Sequence, residues 1–144
     1  MNSAAKQAWA GTKVTVWPER YILAELGLEA LGQAAGRVAR GFSALIVEAD
    51  AVSLVLEEAA WDAQNLPARA VHRGYRVVTL DAKIGLDLAG YLAPAAARLA
   101  EAGIAIIPVC GAPRDHLLIR NQDLDRARKI LEDLARECRN IAAP

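Results

Sequence analysis

Arg76-Val77-Val78-Thr79-Leu80, followed across residues 86–102 by Leu88, Leu92, Ala96 and Leu99 at helical spacing, and then by Ile104-Ala105-Ile106-Ile107-Pro108-Val109, is the stretch on which the fold turns. The first run is short and rich in β-branched residues, which predicts a buried strand. The spaced leucines and alanines predict a helix with one apolar stripe. Gly103 stands where a helix ends in the left-handed conformation. The second β-branched run predicts another strand, and Gly111-Ala112-Pro113 a turn. Leu117–Ile119 reads as a short returning strand. Asn121 or Asp123 caps a last helix with its stripe at Leu124, Ala127, Ile130, Leu131 and Leu134.

The order is therefore β-α-β-β-α. A strand, a crossover helix and a second strand form a right-handed unit, and the returning strand extends the sheet. Both helices then cover one face. This is a ferredoxin-like arrangement lacking its last strand. An unpaired strand edge has to be covered. Two sources are open: strands from the first half of the chain, or a second subunit.

Working outward, the first half is less regular. Residues 1–12 are Ala-rich without a clear period and read as a lead-in, frayed or briefly helical. Residues 14–17 and 21–26 read as two strands joined by a tight turn at Pro18-Glu19-Arg20; a helix over 19–28 competes, since Ala, Glu and Leu favour one. Residues 27–41 hold four glycines and read as a loop or a short, weak helix. Residues 42–47 and 52–56 form a hairpin about Ala49-Asp50, and 57–72 shows no period. The expected organisation is a lead-in over 1–12, a first half over 13–72 and a second over 73–144.

Composition bounds the function. The chain has 144 residues, 54% of them hydrophobic, which is enough for a packed core. Seventeen basic and seventeen acidic side chains cancel, so no general attraction to nucleic acid or acidic membranes is expected. No stretch reaches the roughly 20 apolar residues of a spanning helix. Two cysteines make no disulfide framework. These absences give a cytoplasmic expectation.

Residues 75–134 resemble an ACT domain, of the subgroup that includes the cytosolic amino-acid sensors and their small bacterial relatives. The resemblance is carried by Tyr75-Arg76-Val77-Val78, by residues 86–93, by Leu99-Ala100-Glu101-Ala102-Gly103-Ile104-Ala105-Ile106, by Asp115-His116-Leu117-Leu118-Ile119 and by residues 121–131. Residues 14–26 and 42–57 resemble the family's hairpins less closely, with Asp50, Val52, Ser53, Leu54 and Val55 in matching positions. The resemblance implies an α/β fold of two tandem ferredoxin-like ACT modules, the first incomplete, with helices on one face of antiparallel-rich sheets. It implies a non-catalytic, regulatory protein that senses a small metabolite, most simply an amino acid, at the interface of halves or subunits. It implies a homodimer, with a downstream protein partner.

The loops that line the family's ligand site correspond here to Gly85, Leu86 and Asp87, and to Val109, Cys110, Gly111 and Asp115, with Asp50 and Ser53 contributed by the first half. Gly85-Leu86-Asp87 is read as opening a helix, whose free N–H groups favour a carboxylate. The bland alternative is that Asp87 caps its own helix. Asp115 supplies an acceptor for an ammonium, or is a turn residue paired with Arg114. Asp50 and Ser53 are equally common turn residues.

Two rivals stand beside this reading. One is an interaction module with no ligand. The other is an enzyme built on Cys110 and His116, which needs an activated thiol and a nearby base. The cysteine and histidine spacings match no metal pattern, and no phosphate-binding glycine loop is present, so no cofactor or metal is expected.

Overall fold

Strand β5 runs for twelve residues, Ala70–Asp81, and serves two units of the chain. In this computed structural model residues 1–38 and 41–142 are described. The elements are α1 (Ser3–Gly11), β1 (Lys13–Val16), β2 (Tyr21–Leu26), α2 (Leu31–Ala35), β3 (Ala44–Val47), β4 (Val52–Glu57), α3 (Glu58–Asp62), β5, α4 (Ala93–Glu101), β6 (Ile106–Cys110), β7 (Asp115–Arg120) and α5 (Leu124–Ala142). One unit comprises Met1–Val16 and Val77–Pro144; the other is Trp17–Arg76.

The first of these units has the strand order β1-β5-β7-β6. Its chain order from β5 onward is the expected β-α-β-β-α. The missing last strand is β1, from the other end of the chain, paired antiparallel from Lys13↔Asp81 to Val16↔Val78. The ferredoxin-like unit is thus closed within one polypeptide, and of the two open sources for that edge the first half supplies it. Val78, Leu80, Leu117 and Ile119 point to the helices and pack with Leu99, Leu131, Leu134 and the fully buried Trp9.

Helix α1 belongs to that core. Asn2 caps it, its Oδ1 accepting from Ala5 N at 2.8 Å, and Ala5 and Trp9 are its buried residues. Of the two readings of this lead-in, frayed or briefly helical, the helical one holds: it is a capped helix packed on α5. The other helix boundaries follow local chemistry. Helix α4 begins at Ala93, not at residue 86. Pro94 has no N–H to give and is tolerated only in a first turn, so the helix cannot extend back through it. The end is as expected: Gly103 takes φ +69°, its N–H reaches Ala100 O at 2.9 Å, and Ile104 N–H reaches Leu99 O at 2.9 Å. Pro108 lies in β6, the edge strand of the unit, where a residue without an N–H costs no ladder bond.

The second unit has the order β3-β4-β2-β5, using the first half of β5 as its last strand. All its strands are present. The incompleteness expected of the first half lies in its helices, α2 and α3, of five residues each. Ile22, Leu26, Leu54, Leu56 and Trp61 make its core. Here the expected tight hairpin of residues 14–17 with 21–26 is corrected. Among the described residues β1 and β2 do not pair with each other: β1 pairs with residues 78–81 of β5, and β2 with β4 and with residues 70–75. The competing helix over 19–28 does not form either. The turn between the strands is held open by Arg76, whose guanidinium donates to the carbonyls of Trp17, Pro18 and Glu19 at 2.9, 3.3 and 3.0 Å. The hairpin of β3 with β4 stands, in the register Ala44↔Val55 to Val47↔Val52.

No helix among the described residues is long and apolar enough to cross a membrane.

Candidate functional site

A cavity of about 390 Å³ lies in the unit closed by β1, between the 84–93 loop and the turn from β6 to β7. That is near the small end of the range in which ligand pockets fall. The loop is a product of Pro94, which delays α4, and of Gly90, whose φ of +84° turns the chain. The cavity thus sits in the gap between the end of β5 and the true start of α4.

Helix α1 anchors the loop. Asn2 Nδ2 donates to Ala89 O at 3.0 Å, and Trp9 Nε1 donates to Tyr91 O at 2.7 Å. The Trp9 and Tyr91 rings stack at 5.2 Å, and the Tyr91 hydroxyl lies 2.9 Å from Thr12 Oγ1. Burial pushes that hydroxyl up to about 12. Tyr91 is therefore a neutral, fixed wall residue.

Of the residues singled out from sequence, Gly85, Leu86, Cys110, Gly111 and Asp115 all line this cavity. Asp87 and Val109 are not among its lining residues. Cys110 pairs with Asp115 in the β6–β7 ladder, and Val109 with His116. Side chains alternate along a strand. Asp115 shares the helix-facing side with Leu117 and Ile119, so Cys110 does too, while Val109 and His116 face the other side. Asp50 and Ser53 belong to the other unit and line a separate cavity there, with Arg69 and His72.

Contrary to expectation, Gly85-Leu86-Asp87 opens no helix: these residues form a turn, closed by Leu88 N–H to Gly85 O at 3.1 Å. Their own N–H groups donate to no backbone carbonyl among the described residues. Arg114 does not pair with Asp115: its Nε lies 2.9 Å from Asp81 Oδ1. Sequence reasoning missed Tyr91, Leu92 and Pro113 as lining residues, and Asp81 as the partner of Arg114. Pro94 was the available signal, since it opens a loop where an uninterrupted stripe suggests helix.

Cys110 and His116 point to opposite faces of the sheet, so the histidine is no base for the thiol. His116 Nδ1 instead lies 2.8 Å from Thr79 Oγ1, and desolvation lowers its pKa. Desolvation, and then the hydrogen bond and charge of Asp115, push the Cys110 thiol up to about 11. A thiol displaced from 9 to about 11 has roughly a hundredth of the thiolate at neutral pH. Alkylation of Cys110 by iodoacetamide is therefore expected to be about a hundredfold slower than for a free thiol at pH 7.5. It should gain about tenfold per pH unit through pH 9–10. A rate that levels off below pH 8 would contradict this. Cys138 is buried and is expected to stay unmodified in the folded protein. Among the described residues no group of three or more His, Cys, Asp or Glu is placed to hold a metal.

The fold has relatives among solved structures. A Vibrio cholerae protein of unknown function, described as a possible transport protein, superimposes with a TM-score of 0.73 at 20% identity, over 92% of this chain and 97% of that one. The aspartokinase alpha and beta subunits match with a TM-score of 0.66 at 15% identity, over 84% of this chain and 95% of that one. The regulatory subunit of aspartate kinase from Thermus thermophilus, in its ligand-free form, matches with a TM-score of 0.64 at 10% identity, over 85% and 97%. No protein-family model matches the sequence. No curated protein matches it either. The chain shares with these proteins an α/β fold of ferredoxin-like units.

Proposed function

We propose that this chain is a non-catalytic regulatory protein that binds a free amino acid in the cavity beside the 84–93 loop. The observation that carries the reading is the composition of that cavity. It joins one carboxylate, Asp115, to the lining part of a turn, Gly85-Leu86, whose N–H groups have no backbone acceptor among the described residues. An α-amino acid carries one ammonium and one carboxylate, and these two features complement it. The fold shared with regulatory subunits of aspartate kinase supports the same reading. The raised Cys110 pKa and its separation from His116 favour it over an enzyme. Binding would bias one arrangement of the loop over another, which is how a regulatory site passes on its state. A homodimer and a downstream protein partner belong to the proposal; half-exposed Ile46 and Val47 on the edge strand β3 offer a surface for pairing.

A thermal-unfolding screen against the twenty amino acids tests it. A ligand at a hundredfold excess over its Kd adds about 2.7 kcal/mol, a shift of several degrees. The shift is expected with wild type and lost in Asp115→Asn. No shift with any amino acid would leave the fold as an interaction module.

A further inference from the structure

We infer that the ligand of this cavity is an amino acid with an uncharged, aliphatic side chain. The inference rests on the amino-acid reading of the same site and narrows it. Among the lining residues the charged ones are Arg114 and Asp115. Arg114 is already matched by Asp81, at 2.9 Å. Asp115 is then the acceptor for the ligand's ammonium. An acidic side chain would bring a second carboxylate to a wall whose cation is occupied. A basic side chain would need a second acidic acceptor, and the lining supplies none. A charge taken from water without a partner is costly, so both classes are disfavoured.

The neutral polar groups are committed as well. The Tyr91 hydroxyl is held by Thr12, and the Cys110 thiol, kept neutral by desolvation and the charge of Asp115, is only a weak donor. The remaining wall is hydrocarbon: Ile84, Leu88, Leu92, Ala112 and Pro113. Leu86 stands on the same wall and is 84% exposed, the most exposed large apolar side chain of the chain's described residues. An aliphatic side chain entering the cavity would remove Leu86 from water along with itself. A polar one would leave it exposed. Charge and shape select the same class.

Calorimetric titration of the full chain with leucine, isoleucine, valine, aspartate, glutamate, lysine and arginine tests this. The aliphatic group is expected to bind at least tenfold more tightly than any charged member. The informative variant is Asp81→Asn. It removes a half-exposed carboxylate, so the fold is retained, and it releases Arg114. Aspartate or glutamate should then gain at least tenfold in affinity. Tighter binding of a charged amino acid by wild type would overturn the inference while leaving the amino-acid reading intact. An unchanged preference in Asp81→Asn would overturn the charge argument and the inference with it. No binding by any of the seven would overturn the reading beneath both.

Discussion

Removal of residues 1–16 is expected to unfold the unit formed with Val77–Pro144. The deletion takes away β1, which pairs with residues 78–81, and α1, which packs on α5. Strand β5 would then present bare N–H and C=O groups along its edge. The buried cluster that holds Leu134, Ala135 and Cys138 would lose Trp9. Trp9 alone accounts for about 3–5 kcal/mol by the usual cost of truncating a buried aromatic, and Ala5 and the strand add to it, so the total is about 5 kcal/mol or more. A domain has on the order of 5–15 kcal/mol to lose. Circular dichroism melts and amide exchange check this. The expected result is loss of the cooperative transition and of protection in α4 and α5. A truncated protein that melts within a few degrees of the full chain would mean that β1 is dispensable.

Trp9→Ala is the second large effect, and it links the core to the site. The side chain is fully buried, stacks on Tyr91 and donates to the Tyr91 carbonyl at 2.7 Å. Its loss leaves a cavity and an unsatisfied carbonyl, costing about 3–5 kcal/mol. The melting temperature should fall on the order of 10 °C. Trp9→Phe separates the terms. It keeps most of the apolar volume and loses the donor, so it should fall by less, about 1–3 kcal/mol. Equal losses from the two variants would assign the whole effect to the hydrogen bond. Because Trp9 also holds the 84–93 loop, exchange of the amides over residues 85–90 should quicken in both variants, below the melting range.

The second half of the chain was legible for a physical reason. Its strands are β-branched and its helices carry one stripe each, so period and propensity agree. Val78, Leu99, Leu117 and Leu131 fall where that pattern puts them. The cap at Gly103 was legible because only one conformation suits a helix end there. What was not legible depended on distant partners. Residues 13–16 carry no mark saying that they pair with 78–81 rather than with 21–26, since strand pairing is decided by packing between segments far apart in sequence. The role of α1 was hidden likewise: Asn2 and Trp9 have partners at Ala89 and Tyr91, more than 80 residues away.

The site was half legible. Gly85, Leu86, Cys110, Gly111 and Asp115 come together because one crossover brings the end of β5 beside the β6–β7 turn. Alternation along β6 and β7 then separates Val109 from Cys110, which a loop-level reading does not resolve. The partner of Arg114 was invisible as well. Its neighbour Asp115 lies on the chain beside it, while Asp81 reaches it through the sheet.

The most direct test of the amino-acid site is a nuclear magnetic resonance titration of labelled full-length protein with leucine. The account predicts shifts concentrated at the amides of residues 84–93 and 110–115, saturating with a single affinity, and absent in Asp115→Asn. Shifts that centre instead on residues of the other unit, such as Asp50, Ser53 and His72, or no shifts at millimolar leucine, would contradict it.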